Sequence, residues 1–330
     1  MKAPDQRSDA TARALWYAAP GKAELRQASL RAPRPGEVLV RALYSGISRG
    51  TERLVFEGRV PASEYERMRL ATQEGAFPFP VKYGYAAVGT VETGPAKLKG
   101  KTVFALHPHQ DRFVLPADWV VLVPDTVPVR RAVLTANAET ALNVLWDGEA
   151  APKQKIAVVG GGLLGLLVAA LALKLSGTTV TVIDKEFSRA PLARKLGAAF
   201  ASPEAAPKDV DLVIHTSATE AGLALALEIA KFEATVVEAS WYGDKKVSVP
   251  LGGAFHSQRL RLVSSQVGAV APSHRKRYTP RQRMEEALRL LADDRFDALL
   301  GEEIPFAELP KHLPRLLAPD APGVGALVRY

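Results

Sequence analysis

The chain has 330 residues, of which 47% are hydrophobic and 24% charged, an ordinary globular profile with enough length for two domains. It contains no cysteine, which excludes disulfides, thiol nucleophiles and thiolate-bound zinc. The net charge of +8 is spread along the chain with few interleaved aromatics and no nucleic-acid-binding motif, so nucleic acid is not an expected partner. No apolar run spans a bilayer, and residues 163–175 are too short, so no membrane association is expected. Residues 1–13 are polar, lack the apolar core of an export signal and read as a disordered lead-in; a cytoplasmic location is expected.

In chain order, residues 14–18 and 38–43 read as strands around the turn Pro33-Arg34-Pro35-Gly36, and residues 64–74 as a short helix. Residues 81–92, 101–105, 113–115 and 120–123 are short β runs, so the region from about 14 to 124 is irregular and β-rich. Residues 130–146 read as a connecting helix. From Lys155 the texture becomes βα repeats: strands at 156–159, 179–183, 211–215, 234–239 and 260–265 alternate with helices at 163–175, 189–196 and 220–231. This alternation predicts a parallel sheet. Thr279 and Pro280 open a further helix, and residues 302–330 return to short, proline-interrupted elements.

The run Ile156 to Gly165 carries the clearest chemistry. Gly160 allows a tight turn off the strand, Gly162 lets backbone approach a diphosphate, and Gly165 lets the helix pack on the sheet. The amides at the helix start, at Leu163 and Leu164, face a ligand with the positive end of the helix dipole. Asp184, at the tip of the next strand, is placed to accept from both ribose hydroxyls of an adenosine. Its charge favours NAD over NADP, whereas Lys185 and Arg189 are placed to neutralise a 2′-phosphate. Ser217, after strand 211–215, and Gln266, after strand 260–265, stand where ligands bind in doubly wound sheets.

This order of parts resembles the medium-chain dehydrogenase/reductase superfamily. The resemblance rests on Ser45–Glu52, on Gly84-Tyr85-Ala86-Ala87-Val88-Gly89 and on Gly160–Gly165. It implies a GroES-like catalytic domain over 1–135, to which 270–330 return, and a Rossmann domain over 136–269, an α/β fold overall. It also implies a cleft lined by residues 45–52 and the segment around Tyr85, a nicotinamide near Gln266, and Thr140 and Asn143 facing that region. A homodimer is an expectation of the same kind. Zinc enzymes of the superfamily carry cysteine in the first motif and histidine and glutamate in the second. Here stand Ser45, Ser48, Tyr85 and Ala86, so no catalytic zinc is expected. The sequence Gly46-Ile47-Ser48 with Gly50-Thr51-Glu52 further resembles the branch of the bacteriochlorophyllide hydroxyethyl dehydrogenase.

Hydride transfer without zinc leaves two routes: a side chain acting as general acid/base, or hydrogen-bond donors that stabilise an enolate. His107 and His109 are candidates for proton transfer; packing roles are the alternative, and His107, His109 and Asp111 sit too close around a proline for good metal geometry. Ser48, Thr51 and Glu52 are candidates for hydrogen bonds to substrate or cofactor, against local backbone bonding by Ser48 and Thr51 or pairing of Glu52 with Arg49 or Arg53. Tyr85 is a candidate donor, against packing. His215 reads as a core histidine. Arg275-Lys276-Arg277, Arg281 and Arg283 are either a solvated helix entry or an attraction for an anionic small-molecule substrate or a cofactor phosphate. The reading is a zinc-independent NAD(P)-dependent oxidoreductase of an alcohol/carbonyl pair; an enone or quinone reductase and a non-catalytic nicotinamide sensor are the alternatives.

Overall fold

The computed structural model describes residues 11–330, and the chain divides into two compact units. The first runs to Ala136 and resumes from Leu300 to Tyr330; the second is Asn137–Leu299. The return to the first unit thus comes at Leu300, later than the residue 270 used above. Among the described residues no helix is long and apolar enough to cross a membrane.

The N-terminal part of the first unit contains β1 (Thr11–Ala19), β2 (Lys22–Ser29), β3 (Glu37–Ile47), α1 (Arg49–Phe56), β4 (Glu74–Gly75), β5 (Val81–Lys82), β6 (Ala87–Thr93), β7 (Thr102–Ala105), β8 (Arg112–Pro116), β9 (Val120–Leu122) and α2 (Val129–Ala132). Thr11 to Arg13 therefore belong to a strand rather than to a disordered lead-in, and residues 1–10 lie outside the described residues. Val38, Val40 and Ala42 alternate inward along β3 and pack with Val91, Val103, Phe113 and Leu115, the period-two pattern of a one-sided sheet. Residues 64–74 do not form the expected helix; the chain makes a single 3₁₀ turn at Ala62–Glu64 and then irregular turns. Most side chains there are exposed or half-buried, so no apolar stripe has a core to face. The expected strand 81–92 is broken at residues 83–86, where the Tyr83 carbonyl accepts from the His109 amide instead of a ladder partner.

The second unit follows as α3 (Thr135–Asp147, which starts at the unit boundary), β10 (Lys155–Val159), α4 (Leu163–Ala172), β11 (Thr179–Ile183), α5 (Ala190–Lys195), β12 (Ala199–Ala201), β13 (Val210–His215), α6 (Glu220–Ile229), β14 (Ala230–Glu238), β15 (Arg261–Ser264) and α7 (Pro280–Leu290). Its six strands are parallel in the order β12-β11-β10-β13-β14-β15. Ile156 to Val159 are buried on both faces, as a central parallel strand requires. The order reverses between β10 and β13, which opens a crevice at their carboxyl ends. The chain ends with β16 (Glu302–Pro305), α8 (Leu309–Leu316) and β17 (Ala326–Arg329), and β17 pairs with β3.

Candidate functional site

The turn between β10 and α4 occupies that crevice. A Cβ on Gly165 would lie 1.9 Å from the Gly160 carbonyl oxygen, so only glycine lets α4 pack this tightly against the turn. Gly160 takes a φ of +113° and faces Thr216 and Ser217 at the end of β13. A Cβ on Gly162, the N-cap of α4, would meet only Arg189, at 3.8 Å, which leaves room for a ligand at the helix start. The amides of Leu163 and Leu164 belong to the first turn of α4 and have no intrahelical acceptor. These features fit a dinucleotide diphosphate.

Asp184 closes one side of the turn. Its Oδ2 accepts from the Gly161 amide at 2.6 Å and its Oδ1 from the Glu186 amide at 2.8 Å. Arg189 donates to the Gly161 carbonyl at 3.0 Å and stands 3.8 Å from the Asp184 carboxylate, while Lys185 is exposed. Ser217 is bonded to His215 and Thr219. Gln266 is exposed and its side-chain oxygen accepts from the Gly268 amide. Thr140 is half-buried on α3. On that helix, Asn143 accepts from the Ala271 amide at 3.0 Å, and Asp147 accepts from Ser265 at 2.6 Å, which fixes residues 265–271. Arg283 fixes the same segment from α7: it is buried, donates to Glu139 at 3.0 Å and to the Ala269 carbonyl at 2.9 Å, and also bonds Asn143 and Val267. It is therefore neither solvated nor open to an anion, as the sequence reading had allowed. Burial pushes the Glu139 carboxyl up to about 7, against the opposing pull of Arg283.

In the first unit, Glu52 and His109 meet in a buried chain of hydrogen bonds. Glu52 Oε2 lies 3.0 Å from His109 Nε2 and accepts from the Tyr17 hydroxyl at 2.8 Å, while Oε1 accepts from the Ser48 amide at 2.8 Å. The carboxylate can only accept, so His109 Nε2 carries a proton, and Nδ1 lies 2.7 Å from the Ser45 hydroxyl. Ser45 in turn lies 2.9 Å from the Tyr330 hydroxyl. Glu52 thus pairs with neither Arg49 nor Arg53; Arg49 donates to the carbonyls of Ala321, Pro322 and Gly323. His109 and Glu52 are fully buried, and the ring uses both nitrogens inside this chain. His107 stands apart, stacked on Phe113 with ring centroids 3.8 Å apart, its Nδ1 donating to the Pro108 carbonyl at 2.9 Å. Burial, with the nearby Lys82 charge, lowers it to about 3. Tyr85 is half-buried and packs edge-on to Tyr83. The sequence reading missed Tyr17 and Tyr330 and saw Ser45 only as part of the motif at 45–52, because nothing local to them signals a buried polar chain.

Ser45, Ser48, Tyr85 and Ala86 carry hydroxyls and a methyl group, not the thiolate, imidazole or carboxylate groups that commonly bind zinc. Asp111 accepts from the Arg13 amide at 2.7 Å and from its side chain at 3.2 Å. Among the described residues no cluster of three His, Asp or Glu side chains is arranged to hold a metal ion.

No protein-family profile matches the chain. A D-xylulose reductase A from Aspergillus oryzae is 28% identical over 110 residues, 32% of this chain and 31% of that protein, so the match spans about a third of the relative's length. Among solved structures, L-idonate 5-dehydrogenase from Escherichia coli aligns with a TM-score of 0.81 at 14% identity, covering 97% of this chain and 99% of that one. A protein from Sinorhizobium meliloti 1021, described as a zinc-binding dehydrogenase and solved with NADP, aligns at 0.77 with 19% identity, covering 98% and 100%. These likenesses establish the fold: a GroES-like β-rich unit and a Rossmann unit, as in medium-chain dehydrogenases.

Proposed function

We propose that this protein is an NAD(P)-dependent oxidoreductase that interconverts an alcohol and a carbonyl compound without zinc. The observation that carries the reading is the glycine turn at the β10/β13 strand reversal, with Gly165 in contact with Gly160 and open space at Gly162. A bound nicotinamide would supply the hydride donor or acceptor. Gly162 and the first amides of α4 would hold its diphosphate, and Asp184 would face the adenosine ribose. Asp184 carries the charge that favours NAD, and Arg189 offsets part of it; the proposed order is NAD before NADP. The resemblance to the bacteriochlorophyllide branch rests on residues 46–52 alone and leaves the substrate open within this class.

Hydride transfer to a carbonyl also needs a hydrogen-bond donor to the substrate oxygen. His109 is committed to Glu52 and Ser45, and His107 is held neutral against Phe113, so this reading assigns proton transfer to neither. Tyr85, half-buried in the motif that zinc enzymes use, is the proposed hydrogen-bond donor to that oxygen. The same placement of the histidines favours enone or quinone reduction as the second reading, since an oxyanion needs donors rather than a proton-shuttling ring. Calorimetric titration with NADH and NADPH, then assay of alcohols, carbonyls and enones by reduced-nicotinamide absorbance, tests both. NADH binding and turnover of a carbonyl, slowed about a hundredfold in Tyr85→Phe, is the expected result. Heat from neither coenzyme would sink the reading.

A further inference from the structure

In the parallel sheet, Val159, His215, Glu238 and Ser264 stand in one row across β10, β13, β14 and β15. The row continues one step past the strands, where the amides of Thr216, Ala239 and Ser265 donate to the carbonyls of Val159, His215 and Glu238. Residues 265–271 therefore leave the sheet at its carboxyl edge, level with Gly160 and three strands from it. This segment is anchored at alternate residues. Ser265 donates its hydroxyl to Asp147 at 2.6 Å, the carbonyls of Val267 and Ala269 both accept from Arg283, and the Ala271 amide donates to Asn143 at 3.0 Å. The anchors are joined to one another: Asn143 donates to Asp147 at 2.9 Å and accepts from Arg283, which donates to Glu139 at 3.0 Å. On the open side of the segment Gln266, Gly268 and Ala269 are exposed, and the Val267 amide is not paired among the described residues.

A dinucleotide with its diphosphate at the glycine turn and its adenosine ribose at Asp184, on the β11 side, extends its other half over the ends of β13, β14 and β15. Resting on the nicotinamide reading above, we infer that Arg283, with Asn143 and Asp147, is a positioning residue that holds residues 265–271 in place for the nicotinamide ring. Glu139 is its counter-ion. A buried ion pair adds little net stability over apolar side chains of the same shape, whereas here it fixes the course of a largely exposed loop. A loop ordered before the ligand arrives costs less to order on binding, so the clamp supplies affinity for the ring without touching it.

Calorimetric titration of NADH and ADP-ribose against the wild type, Arg283→Met and Ser265→Ala separates the ring from the rest of the dinucleotide, because ADP-ribose lacks the nicotinamide. The wild type should bind NADH more tightly than ADP-ribose. Arg283→Met keeps an unbranched stem of similar reach but none of the four hydrogen bonds. It should weaken NADH about tenfold while ADP-ribose stays within about twofold. Amide exchange should quicken across residues 265–271 and stay unchanged across 155–172. Ser265→Ala frees one anchor and should shift the ratio of the two affinities the same way, by about threefold. Should Arg283→Met fail to fold, Ser265→Ala still decides the matter by that ratio. Equal losses of both ligands would mark a role in folding alone and overturn the clamp, as would NADH affinity indifferent to both substitutions. A wild type that binds the two ligands equally overturns the clamp and leaves the cofactor reading standing, whereas one that binds neither overturns both.

Discussion

Two histidines separated by one proline have opposite fates in this fold, and the difference comes from what each ring meets. His109 finds Glu52, 57 residues away, and Ser45, so its buried polar atoms are all matched. His107 finds an aromatic face and a single carbonyl. No local pattern could have separated them, because the partners of His109 are assembled by strand pairing and not by spacing. The turn formed by Gly160, Gly162 and Gly165 was legible for the converse reason: its geometry is set within six residues. Two measurements follow. Since His107 titrates near 3 when folded and near 6.5 when unfolded, the unfolded chain binds more protons between those values, and stability falls as pH drops through that window. The slope is at most about 1.4 kcal/mol per pH unit. Urea unfolding at pH 7.5 and 5.5 should show the wild type losing stability relative to His107→Phe; parallel behaviour would refute the assignment. Gly165→Ala, whose new methyl would collide with the Gly160 carbonyl, should cost about 1–3 kcal/mol or more and abolish NADH binding in the same titrations.

Elements whose ends carry chemical punctuation were readable, and those defined only by packing were not. Thr279 caps α7 with a reciprocal bond to Gln282, and Pro280 follows at the first helical position, so the start of that helix was visible in sequence. Removing the cap with Thr279→Ala should lower stability by about 1 kcal/mol, measured by denaturant midpoint. By contrast β2, α1 and β12 were missed: β2 is polar and only half-buried, and the other two are short. The burial of Arg283 in the same helix was equally illegible, since it depends on α3 lying alongside. That junction has its own pH signature. The folded pKa of Glu139 is raised above its unfolded value to about 7, so the folded state binds more protons from about 4.5 to 7 and stability falls as pH rises through that range. Wild-type stability should therefore decline relative to Glu139→Gln between pH 5 and pH 8, the reverse of the trend at His107.

At the scale of the whole chain, the two units divide the work differently. The second is an open parallel sheet, the architecture that places a ligand at the strand reversal, and its repeating βα texture made all its strands but the short β12 readable. The first is built from strands paired over long separations, including β17 with β3, so its β-rich texture was legible but its pairing and its polar chain were not. If the dinucleotide binds the folded second unit and not its unfolded form, it must stabilise that unit by mass action. At a free concentration of one hundred times Kd the gain is about 2.7 kcal/mol. Hydrogen exchange should report it where the ligand is held, with slower exchange across residues 155–172 and 210–219 when NADH is present. The polar chain from Tyr17 to Tyr330 is complete without a ligand, so its strands should already be protected in the free protein. Protection that rises instead at β1 and β3, with residues 155–172 unchanged, would move the cofactor away from the glycine turn.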